Sequence, residues 1–507
     1  MHREASIIAG IQDLCEEFRR YNKIDSDLYE RFDVKRGLRN QDGTGVMAGL
    51  TQICNVHGYV VNEGEREPVE GALYYRGYNV RDLVHNCQAE GRFGFEEVIY
   101  LLIFGVLPNE KQLDLLRRVL SHFYYLPESF FEDMMLKAPS ANIMNKLARS
   151  VLALYSYDEN PEDLSLESEI GKALQIIARM GNMAIKAYQI KRRFFDGQTM
   201  FLHPEKPGLS IAEEILSLLR GDRIYTKEEA LLLDLCLMLH AEHGGGNNST
   251  FACRVLSSSH TDAYSAYGGA IGALKGPLHG GANLQVVRMV EDIKAHVPHY
   301  TERGAVADYL ARILKKEAGD GSGKIYGMGH AVYTLSDPRA VMFKKYAFKT
   351  AENTPYADDF RLLCLIEELT PELMAKKGVH KPMCANVDLY SGLVYKMLEI
   401  PEDLFTPLFA VSRIVGWSAH RIEELTTGNR IIRPAYKSVS RPAGKSRKKE
   451  EGAYRLGTRL PLFLSSAQPS RPPKAGPAPT TAVFSFRSSP VQNTKAKSGL
   501  SRLYAAA

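Results

Sequence analysis

The sequence predicts a mainly helical protein, all-α apart from one or two small β-hairpins near the N-terminus. Three observations carry this. Apolar residues recur at helical spacing along most of the first 436 residues. Runs with strand character are few and early. No stretch repeats with a period of about 20–50 residues, which argues against a solenoid.

Taken in order, Ile7, Ile8, Ile11, Leu14, Cys15 and Phe18 share one face of a helix, while Glu4, Asp13, Glu16 and Glu17 break any signal-like or transit-like run. The hairpin signal is Tyr59-Val60-Val61 and then Leu73-Tyr74-Tyr75, separated by Gly64 and Pro68. Helical patterns follow near 95–104, 167–190, 211–220, 227–243, 304–317, 358–369 and 403–425. Ser140 is placed to cap a helix with Ile143, Leu147, Val151 and Leu154 on one face. The most apolar stretch, Ala230 to Leu239, is about half the length a bilayer requires and contains Asp234, so it reads as a buried core helix.

Composition narrows the function classes. The chain has 507 residues, 45% hydrophobic and 24% charged, which excludes a collagen, a disulfide-stapled miniprotein and a wholly disordered chain. The net charge of +5 is misleading, because Lys437 to Ala507 holds 14 Lys/Arg against 2 Asp/Glu. The remaining chain has 50 basic and 57 acidic residues, so nothing in it advertises nucleic-acid binding. Residues 440–507 are expected to be a disordered basic tail, since 8 of the 24 prolines lie in 437–507 and no apolar period survives there. A nucleic-acid-binding role for that tail is the less favoured alternative. Seven scattered cysteines without a CxxC point to reduced thiols, and the expected location is cytoplasmic.

Glycines cluster at Gly244–Gly246, Gly276–Gly281 and Gly321–Gly329, each beside a histidine. Glycine permits positive φ and close backbone approach, so three such clusters in a helical chain suggest loops around one pocket. His240, Glu242 and His243 end a hydrophobic helix; His279 sits in Lys275–Asn283, His330 in Tyr326–Val332, and Asp388 opens a helix. Each has a plain structural reading. His240 reads best as a core-edge histidine, Asp388 serves equally as a helix cap, and Arg413 as a structural ion pair. A zinc site at His240, Glu242 and His243 is disfavoured, because the spacing is not HExxH and no third ligand suggests itself.

Read jointly, seven segments resemble the citrate synthases, and within them the bacterial citrate/2-methylcitrate synthase branch: FDVKRGLRNQDGTGV (32–46), LYYRGYNVRDLV (73–84), HAEHGGGNNSTFACRV (240–255), KGPLHGGAN (275–283), YGMGHAVYTLSDPRA (326–340), CANVDLYSG (384–392) and NRIIRPAYKSV (429–439). The resemblance implies a two-domain fold, with a large domain of 1–284 and 396–437, a small domain of 285–395, and the site in the cleft between them. It implies an acyltransferase that condenses acetyl-CoA with oxaloacetate and water to give citrate and CoA, through an enol(ate) and citryl-CoA, in the tricarboxylic acid cycle. A 2-methylcitrate synthase using propionyl-CoA is the close rival, since one methylene is worth only about 1–3 kcal/mol to a pocket. A non-catalytic helical scaffold is a third reading, disfavoured because all seven triad and oxaloacetate-binding positions are filled.

The resemblance assigns catalysis to His279, His330 and Asp388. Asp388 would take the methyl proton, neutral His279 would stabilise the enol(ate), and His330 would polarise the oxaloacetate ketone. Oxaloacetate binding falls to His243, Arg339, Arg413 and Arg433, the last reaching across a homodimer. CoA falls to the backbone of Gly327, Met328 and Gly329. No cofactor or metal is implied, acetyl-CoA being a substrate, and neither membrane nor nucleic acid is an expected partner. Thr334 stands where many relatives carry a basic residue against the CoA phosphates. Lys275, Lys324 and Lys381 lie near the motifs but read equally as solvated.

Overall fold

The computed structural model describes residues 2–440 except Gln41, Gly64 and Asn429; the expected disordered tail lies outside the described residues beyond Ser440. Its middle is the helix Phe405–Thr427, which packs on Leu166–Phe194, Asn248–Ser257, Phe95–Phe104 and Lys227–His240. Every residue from Phe405 to Arg421 is buried, so this helix is enclosed on every side. Pro407 lies in its first turn, where a missing N–H is harmless, and Gly428 follows its end. Leu408, Ile414, Val415 and Trp417 are buried, and each such side chain contributes roughly 1.5–3 kcal/mol.

Buried carboxylates stitch the surrounding helices. Asp234 accepts from the backbone N–H groups of Gly94 (2.7 Å) and Phe95 (3.2 Å), capping Phe95–Phe104 from another helix. Glu96 does the same for Ile211 at 2.9 Å. The helix Ile143–Leu154 forms as expected, but its cap is Asn142, whose side chain accepts from Asn145 N at 2.8 Å. Ser140 instead accepts from Asn142 N at 3.2 Å, two residues before the cap. The helix at 2–21 is present, with Ile11, Leu14 and Phe18 exposed.

The hairpin is longer than its sequence signal. Strand β1 (Cys54–Asn62) pairs antiparallel with β2 (Glu65–Tyr75), which pairs with the short β3 (Tyr78–Asn79). Pro68 sits inside β2 opposite Tyr59, beside a register shift at His57/Tyr59, where a proline is tolerated. This sheet supports two later loops. Tyr75 Oη lies 3.1 Å from Met238 O and 3.2 Å from Glu242 O, fixing the end of Lys227–His240. Gly71 N donates to Ser336 Oγ at 3.1 Å, and no side chain would fit there, because a Cβ on Gly71 would strike the 333–338 backbone and rings.

The helices Ala282–His296, Arg303–Leu314, Pro338–Ala351, Ala357–Lys376 and Asp388–Met397 pack chiefly on one another. No described helix is long and apolar enough to cross a membrane.

Candidate active site

Two arginines two turns apart on Phe405–Thr427 are both fully buried, yet they differ in one respect. Arg421 is satisfied: it forks onto Glu169 at 2.7 and 2.8 Å and reaches Thr261 O at 2.9 Å. Among the described residues Arg413 donates only Nε, to His240 O at 2.7 Å, and its two terminal nitrogens have no partner. A buried guanidinium with two idle donors is expensive unless something anionic completes it. Burial lowers the Arg413 pKa to about 10, still protonated at neutral pH.

Around Arg413 the chain assembles its histidines. His240 lies between Phe343 and Phe409, with ring centroids 5.5 and 4.5 Å away, which agrees with a core-edge role. His243 has a buried Nε2 without a partner among the described residues and stands edge-on to His330 at 5.2 Å. Glu242 points the other way, accepting from His420 Nε2 at 3.0 Å and from Gly244 N. Gly416 makes room for that carboxylate, since a Cβ there would collide with it.

His330 and Asp388 are joined by a backbone clamp. Gly329 N donates to Cys384 O (2.8 Å) and Asn386 N to Gly327 O (2.9 Å). The Asn386 side chain bridges the two segments, donating to Gly329 O at 2.9 Å and accepting from Asp388 N at 3.0 Å. Gly327 has φ +81, and a Cβ there would lie 2.8 Å from Leu389 Cδ1, so only glycine lets the loop press onto this helix.

The protonation states follow from partners. His330 Nδ1 accepts from Val332 N and Tyr333 N, both at 3.0 Å, so the neutral ring carries its proton on Nε2 and presents a donor. Burial, aided by Arg339, lowers its pKa to about 4. Burial and then Arg413 lower His279 likewise to about 4. His279 Nε2 lies 3.0 Å from Ser249 Oγ, which also accepts from Trp417 Nε1 at 3.2 Å. Ser249 has one proton for His279 and Asn247 Oδ1; when it goes to His279, the ring's own proton sits on Nδ1. Asp388 moves in the opposite direction. Burial raises its carboxyl to about 7, against the pull of Arg339 and Arg413. It is the first helical residue, and its carboxyl makes no capping bond among the described residues.

Arg339 is buried and bound through Nε (3.1 Å) and Nη2 (2.7 Å) to Asp337, which also caps its helix. Arg433 is exposed on the extended segment after Gly428 and is not brought to these groups within the chain. Lys275, Lys324 and Lys381 are exposed. Ser249, Trp417, Asp337 and Asn386 escaped sequence reading, although all but Trp417 lie in the quoted segments. A serine, an aspartate or an asparagine at a helix start carries no signal beyond capping.

Chemically, these residues offer a buried cationic receptor, two neutral imidazoles and a carboxylate poised near neutrality. Such a set suits proton abstraction from carbon with stabilisation of the developing oxyanion.

Residues 40–435 match the family model described as Citrate synthase, C-terminal domain. A citrate synthase from Acidithiobacillus ferridurans is 35% identical over 402 residues, covering 77% of this chain and 92% of that protein. A 2-methylcitrate synthase from Shewanella oneidensis is 33% identical over 368 residues, covering 72% and 87%. Among solved structures, citrate synthase from Thermotoga maritima superposes with TM-score 0.63 at 30% identity, covering 80% of this chain and 96% of that one. A Thermoplasma acidophilum citrate synthase in ternary complex with carboxymethyl coenzyme A and oxaloacetate superposes with TM-score 0.65 at 27% identity, covering 81% and 97%.

Proposed function

Because the chain belongs to the citrate synthase family, acyl-transferring enzymes with a mainly helical two-domain fold, we propose that it condenses acetyl-CoA with oxaloacetate and water to give citrate and CoA. The observation that carries this reading is Arg413, whose two buried terminal nitrogens have no partner among the described residues. A substrate carboxylate would accept both.

In this reading Asp388 removes a methyl proton from the acyl thioester, and its raised pKa makes it a stronger base than an ordinary carboxylate. His279, neutral and donating, hydrogen-bonds the thioester oxygen as negative charge develops there. The enol(ate) carbon bonds to the ketone carbon of oxaloacetate, while the His330 Nε2–H donates to the ketone oxygen. Water then cleaves the citryl thioester and CoA leaves as the thiol. His243, Arg339 and Arg413 hold oxaloacetate, and Arg433 completes the site from a second subunit in a homodimer. Gly327, Met328 and Gly329 meet CoA through backbone groups. The large domain comprises 1–284 and 396–437 and the small one 285–395, with closure between them excluding water. The enzyme works in the cytoplasm without a cofactor.

A second reading, 2-methylcitrate synthase, is favoured by two such relatives at 33% identity. Thiol release from acetyl-CoA and propionyl-CoA, each with and without oxaloacetate, tests both. Oxaloacetate-dependent release that is faster with acetyl-CoA supports the first reading. Faster release with propionyl-CoA reverses the order, and no dependence on oxaloacetate refutes both.

A further inference from the structure

Glu242, the acid between His240 and His243, is fully buried, and no step of the proposed reaction uses it. Both bonds that orient its carboxylate fall on Oε1, which accepts from Gly244 N and from His420 Nε2, the latter at 3.0 Å. Oε2 has no partner among the described residues. A buried carboxylate with so few donors depends on each of them for its orientation.

His420 is itself oriented. Its Nδ1 lies 2.7 Å from Arg254 Nη1, and arginine stays protonated, so Nδ1 accepts and the ring proton sits on Nε2, facing Glu242. The same Arg254 nitrogen donates to Glu423 at 2.9 Å, and Nη2 meets Glu424 at 3.0 Å. Glu423 lies 3.8 Å from His420 Nδ1 and accepts in turn from Gln52 N at 2.8 Å. A chain of charge-assisted bonds thus runs from the partly exposed Arg254 to the buried Glu242.

The inner end of this chain closes a turn. Glu242 grips Gly244 N across His243, and Tyr75 Oη lies 3.2 Å from Glu242 O. Gly244 has φ +88, and a Cβ on Gly245 would lie 3.3 Å from His420 Cε1, so these glycines let the turn settle on the imidazole. His420 also stands about two turns beyond Arg413 on the same helix. One rigid element therefore carries the receptor guanidinium and, through Glu242, the backbone on either side of His243.

We propose that His420 and Arg254 act through Glu242 as positioning residues for His243, and thereby set the affinity for oxaloacetate. This rests on the oxaloacetate reading above.

The test is His420→Leu, which keeps much of the bulk and removes both ring nitrogens. KM for oxaloacetate is expected to rise about tenfold, the worth of one charge-assisted bond, with kcat at saturation and KM for the acyl-CoA within about twofold of the parent. His420→Gln, whose amide still donates to Glu242, should recover most of the loss. Arg254→Met acts from the partly exposed end and should raise the same KM about threefold, so it decides the question alone if His420→Leu does not fold. Losses that fall on kcat, or on both KM values alike, would show that the network only holds the fold together. Unchanged kinetics would overturn the proposal equally. Equilibrium dialysis against oxaloacetate separates this from the parent reading. A parent chain that binds oxaloacetate without turnover sinks the condensation alone, and the same variants then read out as weaker binding. A parent chain that binds none sinks both.

Discussion

Asp388→Asn separates a catalytic carboxyl from a structural one, because the substitution keeps the shape and removes the charge. Burial raises the carboxyl from about 3.9 in an unfolded chain to about 7 in the fold. The folded pKa lies above the unfolded one, so between these values the native state holds a proton that the unfolded chain has released. Stability therefore falls as pH rises through that window, and the full loss is present above pH 7. The shift corresponds to a ceiling of about 4 kcal/mol. Asp388 keeps some contact with solvent, and screening reduces this to about 1–2 kcal/mol. Asp388→Asn should therefore stabilise the protein by that amount at pH 8, a Tm rise of about 1–2 °C for a chain of this length, and by about a third as much at pH 5. Turnover should fall at least 100-fold, roughly the worth of a general base. In the parent, kcat/KM for the acyl-CoA should rise about tenfold per pH unit up to about pH 7 and then level, because His279 and His330 titrate near 4. Scanning calorimetry at both pH values and a thiol-release profile make the measurement. A variant with near-parental turnover, or a stability gain equal at pH 5 and pH 8, would refute the reasoning.

Ser249→Ala should lower kcat about tenfold with oxaloacetate KM unchanged, since it removes the hydroxyl that fixes the His279 ring. Trp417, the chain's one tryptophan, loses its indole acceptor in the same variant, so a shift in its emission reports the change and an unshifted spectrum contradicts it. Arg413→Met should raise KM for oxaloacetate by roughly 10–150-fold and raise unfolding stability without substrate, because a buried unsatisfied charge is gone. Unchanged KM would remove Arg413 from the site. Arg421→Met should cost about 3–5 kcal/mol in denaturant unfolding, as Glu169 is left buried and unpaired; a loss under about 1 kcal/mol would mean that the pair is not needed.

Much of this was legible where one physical signal dominated. Phe95–Phe104 appears with the boundaries its apolar run suggests, and the pattern at 167–190 appears as Leu166–Phe194. Ala263–Leu274 was not legible. Its Gly268 and Gly269 lower helix propensity, and their purpose lies in neighbours: a Cβ would meet Leu152 at 2.9 Å and would overlap Leu256. The cap at Asn142 was missed because Ser140 offers the same chemistry two residues earlier. At the site, His279 and His330 stood out beside glycine clusters, whereas Asp388 was singled out only by the family resemblance. Asp337 and Asn386 did not, since each satisfies neighbouring motif groups from a helix start, where such a residue reads as an ordinary cap.

The half-satisfied guanidinium of Arg413 also bears on how long the protein survives. A fold that keeps two donors idle in its interior is weakest when nothing occupies them, and an anion that enters there binds the folded chain alone. Each tenfold excess of that anion over its dissociation constant would add about 1.4 kcal/mol against unfolding. Scarcity of the anion would leave a larger fraction of molecules open to proteases, so abundance of the protein would track supply of that anion.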